Sequence, residues 1–209
     1  MLLPHDHYYR DFVAWVDRLT QANVILDLGT FHKYRKELEP FADRFRARRY
    51  VAMDFHVRRS VARDLLPDVD GDIHHLPFAT ACADAVICKD VLEHLPLPHL
   101  AVAEIHRVLK PGGILYCSIP FLYPYHGDGT LKNTDFYRFT LDGIRYLFRG
   151  FAAAHVIKTG GLVFIARAFC PPRVARWIFA RPLMPLWNLV DRAIPTRTAT
   201  AMHLIFAVK

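Results

Sequence analysis

At 209 residues, with 53% hydrophobic content, the chain is long enough for one sizeable core and short for two domains. Its formal net charge of +7 permits attraction to nucleic acid, anionic lipid or acidic substrates without choosing among them. No run reaches the ~18 apolar residues of a membrane span, and His5, Asp6, His7 and Arg10 stand where a secretory signal would need its apolar region.

Phe12, Trp15, Val16 and Leu19 recur at helical spacing, which predicts an amphipathic helix ahead of a buried strand, Val24 to Gly29. A helix over Tyr34 to Phe45 leads to a second strand, Tyr50 to Asp54, and a helix over Val57 to Leu66 stops before Pro67. A weaker third strand lies around Val69 to Ile73, followed by the turn Leu76-Pro77-Phe78. Ala85 to Cys88 forms the fourth strand, Leu100 to Leu109 a helix, and Ile114 to Ile119 the fifth strand after the Lys110-Pro111-Gly112-Gly113 turn. Strands separated by helices of this length predict a three-layer α/β fold, a doubly wound and mostly parallel sheet.

Thr140 has the character of an N-cap, with Ile144, Leu147 and Phe148 on one helical face, and Ala153 to Lys158 reads as a strand. The aromatic, arginine-rich stretch 162–193 is interrupted by Pro171, Pro172, Pro182 and Pro185, so it divides into short helices before a final strand, Met202 to Val208. The organisation expected is one domain over 1–209 with 162–193 inserted before the last strand. Cys82, Cys88, Cys117 and Cys170 make no C-x-x-C pair, and at least two fall in core strands, as in a reduced cytoplasmic protein.

The acids carry the chemistry. In a doubly wound sheet Asp27, Asp54, Asp72 and Asp90 follow the carboxyl ends of successive strands and line one edge, where such sheets bind ligands. Asp54, after the strand that follows the glycine turn, is placed to accept hydrogen bonds from a ribose diol. Taken singly, each Asp is as well explained as a turn or cap residue.

Val24-Ile25-Leu26-Asp27-Leu28-Gly29, Asp54, Gly71-Asp72-Ile73-His74-His75-Leu76-Pro77-Phe78, Asp90 to Leu95 and Val108-Leu109-Lys110-Pro111-Gly112-Gly113 together resemble the class I S-adenosylmethionine-dependent methyltransferases, in particular the small-molecule branch called type 11. The resemblance covers about two-thirds of the chain. It implies a Rossmann-like sheet with an antiparallel last strand and S-adenosylmethionine as cofactor. Asp27 and Gly29 would lie by the methionine part, Asp54 would hold the ribose hydroxyls, Asp72 and Ile73 would meet the adenine, and Asp90 would face the methionine end. The chain departs from the family at its first glycine loop, where Phe31 and Lys33 occupy the later glycine positions. A ring at Phe31 crowds the cofactor or turns the loop outward, so the pocket is either reshaped or lost; the retained acids favour reshaping.

The loop after the fifth strand, Pro120 to Asp128, and the segment Asp135 to Thr140 offer an aromatic wall for an acceptor. There His126, oriented by an Asp, could act as general base on an acceptor hydroxyl, with His94 as second candidate; equally, His126 could only organise the loop while Asp135 pairs with Arg138. His74-His75 beside Asp72, and His5-x-His7, lack further ligands at a recognisable spacing, so no metal is expected.

Arg173, Arg176 and Arg181 around Trp177, Ile178 and Phe179 could form an interfacial helix on an anionic membrane, within a basic stretch spanning 167–197, or a lid over a greasy acceptor; alternatively the apolar residues there pack on the sheet. No base-reading motif accompanies the other arginines, which argues against nucleic acid. The expected activity is methyl transfer to a small-molecule, saccharide or lipid-like acceptor, at oxygen. The competing reading is a non-catalytic scaffold that binds a partner or an anionic membrane through its basic face. A nicotinamide-dependent oxidoreductase would want a G-x-G-x-x-G turn that is missing.

Overall fold

In a computed structural model, the described residues are 9–30, 33, 36–46, 48–55, 66–127, 134–193 and 200–209. They form α1 (Tyr9–Gln21), β1 (Val24–Leu28), α2 (Ala42–Arg46), β2 (Arg49–Asp54), β3 (Val69–Asp70), β4 (Ala83–Lys89), α3 (Pro98–Val108), β5 (Leu109–Pro120), α4 (Leu141–Leu147), β6 (Ala153–Thr159), α5 (Leu162–Phe169), α6 (Pro172–Ile178), α7 (Met184–Ala193) and β7 (Met202–Val208). Residues 57–65 of the helix expected over 57–66, Phe31, and the pair His5 and His7 lie outside the described residues.

The strands make one seven-stranded sheet in the order β3-β2-β1-β4-β5-β7-β6. β3, β2, β1, β4 and β5 pair in parallel, whereas β7 runs antiparallel between β5 and β6. The strand order reverses between β1 and β4, so the connections leaving their carboxyl ends diverge and open a crevice there.

Period-two alternation sends each strand's side chains to two separate cores. Leu26, Leu28, Val86, Cys88, Leu115 and Cys117 meet α3 through Ala101, Val102, Ile105 and Val108, and α4 through Ile144. Ile25, Ala85, Ile87, Tyr116, Leu204 and Phe206 meet α1 through Phe12, Val16 and Leu19. On that face Phe206 stacks between Trp15, at 4.9 Å, and Tyr116, at 5.1 Å. All four cysteines are free, and burial pushes the Cys117 thiol well up.

Four boundaries differ from expectation. Pro40 divides the helix expected over 34–45 into a 3-10 turn, Lys36–Phe41, and the short α2. The third strand shrinks to two residues, and α3 begins early because Pro98 takes its first position, where a missing N–H costs nothing. β5 starts at Leu109 rather than Ile114, since Ala83 pairs with Leu109 and Ala85 with Ile114, which makes Lys110 to Gly113 a wide bulge within the strand. A Cβ on Gly113 would lie 2.8 Å from the Lys110 carbonyl oxygen, so the bulge needs glycine there.

Other expectations hold. Thr140 caps α4 by accepting the Gly143 amide, and 162–193 forms short helices parted at its prolines. Its apolar side chains do not all pack on the sheet: Val163 is buried, while Leu162, Phe169, Trp177, Ile178, Leu186 and Leu189 are exposed. Among the described residues no helix is long and apolar enough to cross a membrane.

Candidate active site at the carboxyl edge of the sheet

Asp27 sits one residue before the end of β1, in register with Ala52 of β2 and Ile87 of β4. It is only 4% exposed, and its carboxylate accepts the Tyr50 hydroxyl from β2. The chain then turns at Gly29, whose φ is +68° and whose amide donates to the Met53 carbonyl at 2.8 Å. An added Cβ would lie 2.4 Å from Cγ2 of Val91, so both the conformation and the close approach of the β4 loop require glycine. Asp27, Leu28, Gly29, Thr30, Leu38 and Lys89 line a small hollow of about 10 Å³ at this point. Lys33 pairs with Asp68 at 2.6 Å, and the other Asp68 oxygen accepts the Ala52 amide. The substituted glycine position is therefore tied to the end of β2.

Asp54 ends β2 and accepts the Phe55 amide at 2.7 Å. Asp72 accepts both the amide and the Nδ1 of His74, at 2.9 and 2.7 Å. Partial burial alone would raise the Asp72 pKa, but these bonds and the nearby His75 hold it below the ordinary carboxylate value. Ile73 is buried in the core with Met53 and Leu76. The turn that follows is clamped from α3, where Glu104 accepts the Leu76 amide and Arg107 donates to the carbonyls of Leu76 and Phe78.

Asp90, just past β4, has φ +52°, which among non-glycine residues described is shared only by Ala81 in sign. Aspartate tolerates this region better than most residues, and Ser118 holds it there: the Asp90 amide donates to the Ser118 carbonyl at 3.0 Å, and the Ser118 hydroxyl donates to Oδ1 at 2.6 Å. Lys89, buried, places Nζ 3.4 Å from Oδ2.

The structure brings His94 and His126 together, with rings perpendicular and centroids 4.9 Å apart. His94 Nδ1 faces the Thr134 carbonyl at 2.9 Å, and burial lowers its pKa. The His126 amide donates to Asp135 at 3.0 Å, and its Nδ1 lies 3.2 Å from the same carboxylate. Asp135 also pairs with both terminal nitrogens of Arg138, so the orienting acid and the Arg138 ion pair expected as alternatives coexist. Arg138 in turn donates to the carbonyls of Tyr123 and Pro124.

Between the two histidines lies Glu93, which the sequence reading did not single out. Its backbone carbonyl accepts the amides of Phe136 and Tyr137, its side chain is 0% exposed, and both carboxylate oxygens lack a hydrogen-bond partner among the described residues. Burial first, then the charges of Asp90 and Asp135, push its pKa up to about 8. A charged residue inside Val91-Leu92-Glu93-His94-Leu95 was the available signal, as was Lys89 at the end of an apolar strand.

As to cofactor fit, the edge supplies acids suited to hydroxyls and an ammonium group and a buried lysine suited to a carboxylate, which matches S-adenosylmethionine. The chain following the ends of β1 and β2, at 31–32, 34–35 and 56–65, lies outside the described residues.

Residues 26–117 match the family described as "Methyltransferase domain". The chain is 39% identical over 93 residues to the demethylmenaquinone methyltransferase of Renibacterium salmoninarum, covering 43% of this chain and 38% of that protein. It is 47% identical over 62 residues to the malonyl-[acyl-carrier protein] O-methyltransferase of Herminiimonas arsenicoxydans, covering 30% and 23%; in both cases the match spans less than half of the relative. In fold it is similar to a SAM-dependent methyltransferase from Archaeoglobus fulgidus, with a TM-score of 0.61 over 96% of this chain and 92% of that one at 10% identity. The matched segment runs from β1 into β5, and the strand order with its antiparallel β7 agrees with the fold likeness, so the chain has the S-adenosylmethionine-dependent methyltransferase fold and 26–117 carries the sequence pattern of a methyltransferase domain.

Proposed function

We propose that this chain transfers a methyl group from S-adenosylmethionine to a small-molecule, saccharide or lipid-like acceptor, at oxygen. The observation that carries this reading is the acid set at the switch point, Asp27 on β1, Asp54 at the end of β2 and Asp90 just past β4, around the Gly29 turn. S-adenosylmethionine supplies an electrophilic methyl group on a positively charged sulfur. Asp54 holds the ribose diol, Asp72 and the Ile73 backbone border the adenine, and Asp27, Gly29 and Asp90 surround the methionine part. The residue-by-residue assignment follows the family pattern together with the placement above.

The acceptor is held beside Tyr123, His94 and His126. His126, with Asp135 against Nδ1, takes the proton from the acceptor hydroxyl as the oxygen attacks, and His94 lies next to it for the same role. Alignment of the two reactants contributes much of the rate. Calorimetry of the folded chain with S-adenosylmethionine and with S-adenosylhomocysteine tests the reading; binding of neither overturns it.

A second reading, a scaffold that meets an anionic membrane through its basic face, is favoured by the exposed apolar groups of 162–193. Trp177 is 82% exposed on α6, which also carries Arg173 and Arg176. Such a face suits an interfacial position. Membrane contact of this face is compatible with methyl transfer to a lipid-like acceptor, whereas a non-catalytic scaffold is what failure to bind S-adenosylmethionine would indicate.

A further inference from the structure

Three hydrogen-bond acceptors face one another at the end of the β4 loop. His94 Nε2 lies 3.7 Å from Glu93 Oε1, and His126 Nε2 lies 3.8 Å from the same oxygen. One ligand atom from each of the three residues falls within 4.8 Å of the others. The tautomers follow from the far side of each ring. His94 Nδ1 is bonded to the Thr134 carbonyl, which fixes the proton there and leaves a lone pair on Nε2. His126 Nδ1 faces the Asp135 carboxylate at 3.2 Å and the Pro124 carbonyl at 3.3 Å, both acceptors, against one longer contact to Arg138 at 3.4 Å. Its Nε2 lone pair therefore also points at Glu93.

A wholly buried carboxyl group with neither oxygen hydrogen-bonded is costly, charged or neutral, and the two imidazole lone pairs facing it at 3.7 and 3.8 Å are too far to bond it. A cation at the centre satisfies all three. We propose that Glu93, His94 and His126 bind one divalent cation of the zinc type, with a further coordination position open toward the acceptor side.

The chemistry of the set fits. Two imidazole nitrogens and one carboxylate oxygen are the donors of a three-ligand zinc site. Ligand atoms around a tetrahedral ion at ~2.0–2.1 Å lie about 3.3 Å apart, so the observed separations close by a small shift of His126, which sits on an exposed stretch. Each histidine already carries the outer partner that metal-bound imidazoles have, a carbonyl for His94 and a carboxylate for His126. The acids Asp90 and Asp135, both near enough to act on Glu93, make the position electrostatically receptive. A bound cation occupies both Nε2 lone pairs, so cation binding and proton acceptance by these rings exclude each other at any one moment. The proposal goes beyond methyl transfer and does not require it, but a loaded site would take the base role away from His94 and His126.

The test uses the full chain, stripped with dipicolinate and shown to be folded by circular dichroism. It is titrated with Co²⁺ alone, followed by visible d–d absorption, and with Zn²⁺ alone by calorimetry. The expected result is saturation at one equivalent, with Glu93→Gln and His126→Ala each weakening Co²⁺ binding by about tenfold or more. Absence of d–d bands and heat with the folded wild-type chain overturns the proposal, and so does unchanged affinity in folded His126→Ala. If Glu93→Gln does not fold, His126→Ala decides alone. Parallel titration with S-adenosylmethionine separates the two claims: cofactor binding without cation binding removes the metal site and leaves the methyltransferase reading, and the reverse removes that reading and leaves the site.

Discussion

Ser118 donates its hydroxyl to Oδ1 of Asp90 at 2.6 Å, and the same oxygen lies 3.1 Å from the Asp90 amide. One side chain on β5 thus fixes both the carboxylate and the left-handed backbone of the residue that follows β4. Ser118 is wholly buried, so no water readily replaces it. Ser118→Ala should lower stability by about 1–3 kcal/mol and weaken S-adenosylmethionine binding with it. Urea denaturation and calorimetry check the two effects; an unchanged denaturation midpoint contradicts the role given to this contact.

Gly29→Ala faces two separate penalties, the positive φ and the overlap with Val91. We expect a loss of about 1–3 kcal/mol, part of which Val91→Ala restores in the double variant, because only the overlap is relieved. A double-mutant cycle by denaturation measures the coupling. Complete independence of the two substitutions would show that the β4 loop does not press on the turn.

Asp54→Ala should weaken S-adenosylmethionine binding by about 1–3 kcal/mol if the carboxylate holds a ribose diol, with little change in melting temperature since the residue lies at the rim. Calorimetry decides, and wild-type affinity in this variant moves the ribose elsewhere.

His203, on β7, is 2% exposed. Burial, with a smaller contribution from Lys158, pushes its pKa down to about 4. The unfolded chain binds the proton near pH 6.5, so between that value and about pH 4 the unfolded state carries more protons than the native one, and stability falls as pH falls. The loss should amount to about 2–3 kcal/mol at the acid end and be absent above pH 7. Urea midpoints measured from pH 7.5 to 4.5 should slope less in His203→Gln than in the wild type; equal slopes refute the assignment.

Trp177→Ala combined with Arg173→Glu should reduce co-sedimentation with phosphatidylglycerol vesicles strongly, whereas Arg173→Glu alone should leave the weaker association with phosphatidylcholine vesicles unchanged. If the wild-type chain sediments with neither, the membrane-facing reading of 162–193 is withdrawn.

Much of the sheet is legible in the sequence because its strands are continuous apolar runs, as in Val86 to Cys88 and Leu204 to Ala207, and because the acids follow directly where those runs stop. Thr140 was legible as a cap since its partner amide is three residues away. The less legible parts depend on long-range approach. Lys110 to Gly113 has turn composition, yet pairing on both sides of it keeps it within β5. Lys33 gives no local hint of Asp68, nor Glu104 and Arg107 of the Leu76 to Phe78 turn. Glu93 has the composition of an exposed helical residue, and nothing local announces that Phe136 and Tyr137 donate to its carbonyl from beyond β5, far along the chain.

The stacking of Trp15 on Phe206 joins α1 to β7, the strand that fills the slot between β5 and β6. A tryptophan far away in sequence thereby becomes an optical gauge of whether that slot is filled. Because such pairing closes a long loop, it belongs among the slow events of assembly, and in a chain with Trp177 and Trp187 replaced by Phe the emission of Trp15 should shift on the same timescale as insertion of β7.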